Sequence, residues 1–273
     1  MSDIITRNTC PSISVIILSY NGEKYIEETI ISVLSQDYKN IAIIIVDDNS
    51  KDSTLDILHK YSNHPSIKVI FNTENKGIAR NLNDTIALID SDYFLLLGHD
   101  DLIPPDHLSI MINEFKDDVV SIHCNSYIID SEGNKNKLLK IDSIQKTKNN
   151  TLNIRQELAL DNFISSCGML HRTKIFKLIN GWDEKYRNYG EWLYYIKSLD
   201  YGIIKYTTKT KAFYRRHETN ITNTFKDRNI KYGVYLYKKT CRQLGFKKAN
   251  KSFTFLLRYL YANFKSYLYV FKK

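Results

Sequence analysis

The sequence predicts an α/β fold: a mostly parallel sheet flanked by helices, with a helical basic-aromatic C-terminal appendage. Three observations predict it. Apolar runs of strand length alternate with segments of helical spacing, polar and acidic residues follow three of those runs, and the last stretch turns basic and aromatic. With 273 residues, 43% hydrophobic and 25% charged, the chain can bury a large core and suits one sizeable domain plus an appendage.

Residues 13–18 (ISVIIL) form a continuous apolar run, the pattern of a strand covered on both faces. Residues 23–36 follow with Tyr25, Ile26, Ile30, Val33 and Leu34 at helical spacing. A second buried strand over 41–46 ends in Asp47, Asp48, Asn49 and Ser50, after which Asp52 and Ser53 can cap a helix to about Tyr61. A strand over 67–71, a helix over 77–89 and a strand over 93–97 continue the alternation, which argues for parallel strands with helical crossovers. Beyond Gly98, His99, Asp100 and Asp101 the pattern predicts a helix over 106–115 and a strand over 119–125. A turn over 131–136 then separates two short strands, and the polar Asn/Lys-rich stretch 142–152 reads as a mobile loop. Helical patterns recur over 153–160, 172–178 and 191–199, and 211–215 reads as a last strand.

Charge divides the chain. Residues 225–273 hold 13 basic residues and one acidic, a net +12, while residues 1–224 carry −3. A domain over 1–224 followed by a tail over 225–273 is therefore expected. The tail also holds 13 aromatic residues. Rings interleaved with cations suit peripheral contact with an anionic membrane, and Tyr and Phe at helical spacing equally suit packing onto the body. A nucleic-acid module on the tail leaves the acidic strand ends unexplained, so no nucleic-acid partner is expected. Four scattered cysteines without a CxxC pair exclude a disulfide framework and a zinc ribbon. The first eleven residues lack the apolar core of a secretory signal, and the apolar runs are strand-sized. Cytoplasmic location is expected, peripheral at the inner membrane face if the tail meets lipid.

In open parallel sheets ligands bind beyond the carboxyl ends of the strands. Here those ends carry Ser19-Tyr20-Asn21, Asp47-Asp48-Asn49 and Gly98-His99-Asp100-Asp101. Any one acid there can be a helix cap or an Asx turn, but three polar ends in one place favour a shared site. No GxG, no GxxxxGK[ST] and no GxSxG occurs, which disfavours dinucleotide dehydrogenases, P-loop enzymes and serine hydrolases. Carboxylates that hold a hard divalent cation against a diphosphate remain. Asp48 could accept from a base or ribose donor, and Tyr20 could stack on a base.

Five ordered blocks carry a family resemblance: residues 14–54, NKGIARN (75–81), YFLLLGHDDLIPPDHL (93–108), GWDEKYRNYGEWLYYIKSLDYG (181–202) and FYRRHETNIT (213–222). Together they resemble the family 2 glycosyltransferases over roughly residues 12–222. The resemblance implies a Rossmann-like GT-A fold and an inverting transfer from a nucleotide-sugar donor with Mn²⁺ or Mg²⁺. A UDP-sugar donor, a glycan or lipid-linked acceptor and a role in bacterial surface polysaccharide synthesis come with the same analogy.

Carried over by position, the resemblance assigns Ser19 and Tyr20 to the base pocket and Asp48 to the base itself. Arg80 falls near the base and the donor phosphates, and Asp100 becomes the metal-binding acid. Asp101 would orient that loop or touch the sugar. The family's usual first acid is Gly98 here, so His217 is the candidate second metal or phosphate ligand, with Arg215 or Arg216 adding charge. The missing acid leaves a non-catalytic nucleotide-sugar-binding protein as the alternative. Glu191 stands where the family places its catalytic base, with Asp183 and Glu184 as runners-up. Trp182 and Trp192 could stack on an acceptor sugar or pack the loop.

Overall fold

Four strands run parallel in the spatial order β3-β2-β1-β4: β1 (Ile13–Ser19), β2 (Ile41–Asp47), β3 (Ile67–Phe71) and β4 (Tyr93–Gly98). The register sets Ser19 beside Asp47 and Leu18 beside Gly98, so three polar strand ends finish at one level. This computed structural model describes residues 10–139, 150–220 and 228–271.

The period-two alternation of β1 splits the core. Ile13, Val15 and Ile17 face α1 (Ile26–Leu34), α2 (Thr54–Tyr61) and α4 (His107–Asn113). Ile16 and Phe94 belong to the opposite cluster, with α3 (Ile78–Ala87), α5 (Thr151–Leu158), α6 (Thr173–Leu178) and α7 (Glu191–Ser198). Each continuous apolar run thus covers both faces of a sheet sandwiched by helices, as its sequence predicts.

The second half of the sheet departs from the expectation. β5 (Val119–Ile129) and β8 (Ile203–Arg215) pair in parallel along nearly their whole lengths, well beyond 119–125 and 211–215. β6 (Lys135–Leu138) returns antiparallel to β5 through the turn expected over 131–136. β7 (Leu170–Arg172), a strand the sequence did not announce, joins β4 to β5 antiparallel just ahead of the helix expected over 172–178, which begins at Thr173. Three residues are too few to show a period. Most of the loop expected over 142–152 lies outside the described residues. Its end is helical: Asn150 caps α5, its side chain accepting from the amides of Leu152 at 3.0 Å and Asn153 at 3.2 Å.

Two helices follow, α8 (Arg228–Lys248) and α9 (Phe253–Phe271). Tyr237 and Cys241 of α8 are buried in the second core cluster. Phe255 at the start of α9 packs with Ala159, Leu160 and Ala249, and Arg258 forms a two-pronged ion pair with Glu157 at 2.9 and 2.8 Å. Beyond that turn α9 exposes Tyr261, Phe264 and Tyr269. No helix among the described residues is long and apolar enough to cross a membrane.

Candidate active site at the strand ends

The end of β4 carries the most heavily held cluster. Asp100 Oδ2 accepts from His217 Nε2 at 2.9 Å when that nitrogen bears the proton, and from Asn220 Nδ2 at 3.0 Å. Asn220 Oδ1 in turn accepts from the His217 amide at 2.6 Å. His217 Nδ1 lies 2.8 Å from the Thr219 hydroxyl, so either ring tautomer finds a partner. Asn220 is a member of this cluster that sequence reasoning missed; it sits inside the block FYRRHETNIT with no charge to mark it.

Arg215 is the strut of this cluster. It is 1% exposed, and its Nε donates to the Asp100 carbonyl at 2.9 Å. One terminal nitrogen donates to the carbonyls of Asp130 and Ser131, and the other pairs with Glu28 at 2.5 Å. The expectation that Arg215 adds charge for a phosphate is therefore corrected: its donors are consumed by the protein. Arg216 is exposed with its guanidinium over the Tyr214 ring.

Asp101 is buried, and its Oδ1 accepts from the Arg215 amide at 3.0 Å. Burial first, then the charge of Asp100, hold its carboxyl well above the usual carboxylate range. Thr29 of α1 donates to the carbonyls of His99 and Asp101, closing the loop from the other side. Gly98 has a local reason to lack a side chain, because a Cβ there would lie 2.8 Å from Asp100 Oδ1.

Asp48 organises the neighbouring corner. Its carboxylate accepts from Asn72 Nδ2 at 3.0 Å and from the amides of Lys76 at 2.8 Å and Gly77 at 2.9 Å. Most of its acceptor capacity thus holds the loop before α3, leaving room for about one further donor. Ser19, one strand over, is 1% exposed, and its hydroxyl has no hydrogen-bond partner among the described residues. Tyr20 is half exposed, and Arg80 lies exposed on the first turn of α3.

Glu191 begins α7 on a third segment. Its carboxylate accepts from the Gly190 amide at 3.0 Å and from Asn162 Nδ2 at 3.4 Å. Burial pushes its pKa up, against the pull of those hydrogen bonds. Its charge contributes, after burial, to raising Tyr195 and Tyr237. The runners-up are engaged elsewhere, Asp183 with Lys185 and Glu184 with Asn83. Trp192 is buried, its indole N–H donating to the Leu158 carbonyl at 2.8 Å, so it packs the core and meets no sugar. Trp182 lies against Gly190, where a Cβ would come within 2.6 Å of its side chain.

The structure brings Asp100, Asp101 and His217 into one cluster and seats Ser19 and Asp48 on the adjoining strand ends. Glu191 makes no hydrogen bond or ion pair with either group. Its segment is tied to the Asp48 loop by Arg187, which donates to Asn75 Oδ1 at 2.6 Å and accepts from the Ala79 amide at 2.8 Å.

Among the described residues no group of three or more His, Cys, Asp or Glu side chains could hold a metal ion. One carboxylate and one imidazole still fit a divalent cation when a diphosphate supplies further oxygens. With the proton on Nδ1, shared with Thr219, His217 turns a lone pair toward Asp100 Oδ2. His107, His123 and His171 do not compete: burial lowers their pKa values to about 4, 3 and 3, and they sit in the core as neutral rings.

Comparison with known proteins bears on the family and the fold. The family model "Glycosyl transferase family 2" matches residues 14–179. An uncharacterized glycosyltransferase of Rickettsia typhi is 32% identical over 78% of this chain and 67% of its own. A longer Rickettsia felis glycosyltransferase is 29% identical over 91% of this chain, which spans 42% of that protein. Among solved structures, Staphylococcus aureus TarS in complex with UDP-GlcNAc superposes with TM-score 0.62 at 19% identity, over 95% of this chain and 81% of that one. The Pyrobaculum calidifontis mannosyltransferase with GDP-Man and Mn²⁺ gives 0.64 at 14%, over 97% and 71%. With more than half its length matched by the family model and its sheet shared with GT-A enzymes, the chain belongs to glycosyl transferase family 2 and is a glycosyltransferase.

Proposed function

We propose that this enzyme inverts configuration as it moves a sugar from a nucleotide-diphosphate donor, a UDP-sugar, to a hydroxyl of a glycan or lipid-linked acceptor in bacterial surface polysaccharide synthesis. The observation that carries the reading is the Asp100–His217 pair, held at 2.9 Å at the end of β4 beside the ends of β1 and β2. Asp100 and His217 would hold the divalent cation, which supplies charge neutralisation at the departing diphosphate. Ser19, Tyr20 and Asp48 receive the base, Arg80 stands near the donor phosphates, and Asp101 fixes the loop that carries Asp100.

Glu191 takes the proton of the attacking acceptor hydroxyl. Its raised pKa makes it a stronger base than an ordinary carboxylate. UDP is preferred because the TarS structures that share the fold hold UDP and UDP-GlcNAc, although the mannosyltransferase holds GDP-Man. The basic-aromatic tail supports an acceptor presented at a membrane surface.

The test is release of nucleoside diphosphate from a panel of UDP-, GDP-, CDP- and dTDP-sugars, read with and without Mn²⁺. One donor should turn over and raise the unfolding midpoint by mass action. Binding of a donor without turnover in the presence of glycan and lipid-linked acceptors would overturn the reading.

A further inference from the structure

A cavity of about 460 Å³ lies between α8 and α9, with Leu160 and Asp161 also in its wall. It is a pocket between facing helix surfaces. Lys231, Tyr235, Lys238 and Arg242 recur along α8, and Tyr261, Lys265 and Tyr269 along α9, at the three- to four-residue spacing of one helical face. Four cations with no ion pair among the described residues therefore converge with three rings. Asp161 is the one acidic residue in its wall, and the Arg258 in the same wall is paired with Glu157.

Arg242 is the informative member. It is 5% exposed, yet its guanidinium makes one hydrogen bond among the described residues, from Nε to the Leu160 carbonyl at 2.8 Å. Among the described residues no carboxylate is in ion-pair contact with it, although the Asp161 charge acts on it from the same wall, and the Trp192 ring lies 5.7 Å from its central carbon. A buried charge with both terminal nitrogens uncommitted is costly unless an anion completes it. A guanidinium fork among lysines suits phosphate oxygens. Apart from Ser266 the remaining wall is apolar and aromatic, and Lys231 stands over Tyr269 at 5.6 Å, bridging the two helices. The pocket opens onto a helix that bares Leu257, Leu260, Tyr261 and Phe264, between 52% and 67% exposed.

We infer that this cavity binds a phosphate-bearing amphiphile, its phosphate on Arg242 with Lys231, Lys238 and Lys265 and its apolar chain along the rings and the exposed face of α9. The site would seat the enzyme on an anionic lipid surface through one defined head-group contact. It does not depend on transfer chemistry, so its failure and that of the donor reading are separable: nucleoside diphosphate release is measured on the same protein.

The experiment uses the full chain with four probes: monomeric dihexanoyl phosphatidic acid, inorganic phosphate, a single-stranded oligonucleotide, and vesicles of phosphatidylcholine with or without phosphatidylglycerol. The short-chain lipid and the anionic vesicles should bind, and inorganic phosphate should bind at least tenfold more weakly than the lipid. Each lost cation should weaken lipid binding about fivefold. Lys238→Gln with Lys265→Gln should therefore lose about 25-fold. Lys239→Gln with Lys247→Gln, which removes the same charge from exposed positions outside the cavity, should stay within twofold for the soluble lipid. These rim variants keep the test independent of whether Arg242→Gln folds. Equal losses in the two double variants would show diffuse surface charge and overturn the site. Phosphate binding as tightly as the lipid, or the oligonucleotide displacing it, would overturn the amphiphile.

Discussion

Glu191, proposed above as the base, is a residue whose burial would serve reactivity at a cost in stability. Its folded pKa lies above the unfolded value, so the folded state favours the protonated form. The stability this residue contributes is therefore full below the unfolded pKa and is lost as pH rises through the folded pKa. Glu191→Gln removes that penalty, so its unfolding midpoint should exceed wild type at neutral pH, with the gap narrowing in acid. The same variant should lower transfer about 10²- to 10⁴-fold with donor binding retained. Wild-type kcat should fall as acidification passes a midpoint above the usual glutamate range, while a flat profile would remove Glu191 as the base. Gly98 makes the complementary point. A side chain there meets Asp100 Oδ1, so Gly98→Asp should displace that carboxylate and crowd it with like charge. The variant should melt below wild type without metal and gain more from added Mn²⁺, as thermal shift across a Mn²⁺ titration would show.

Between residues and the whole lies the β4 loop, gripped by two elements distant in sequence, Thr29 from α1 and Arg215 from β8. Arg215→Met keeps the volume and removes donors to three carbonyls and Glu28, leaving polar groups unsatisfied in the interior. It should cost about 3 kcal/mol in denaturant unfolding. Donor affinity should fall with it, since Asp100 loses its backbone anchor. The sequence made part of this legible. Apolar runs over 13–18, 41–46 and 93–97 announced three central strands, and acids behind them announced where a site would form, because parallel strands buried on both faces leave polarity only at their ends. β7 was hidden in three residues, and the first two-thirds of β8, IIKYTTKT, mixes charge with β-branched residues and shows no clear alternation. Long-range partnership was hidden altogether. Nothing local tells that Arg215 is a buried strut while Arg216 is exposed, or that the uncharged Asn220 completes the Asp100 cluster.

On the scale of the whole molecule, the basic tail divides into a helix that belongs to the core and one that is merely docked. Tyr237 of α8 is 4% exposed, and its hydroxyl accepts from the Leu193 amide at 3.2 Å, so α8 braces the helix that Glu191 begins. α9 is held near its start by Phe255, by the Arg258–Glu157 pair and by the Phe246–Tyr259 ring contact. The small cluster around Phe255 is separate from both sheet cores, so its loss should open α9 as a local unit without melting the body. Phe255→Ala, a deletion that costs roughly 3–5 kcal/mol in a core, exceeds what so few contacts supply. Limited proteolysis of this variant should cut between α8 and α9, near Asn250 and Lys251, at concentrations that leave wild type intact. The body's unfolding midpoint and donor turnover should change little, whereas binding to anionic vesicles should weaken, because a freed α9 no longer forms the far wall of the cation-lined cavity. Loss of donor turnover together with α9 would instead make the last helix part of the catalytic body, since α8 alone would then fail to hold α7 in place.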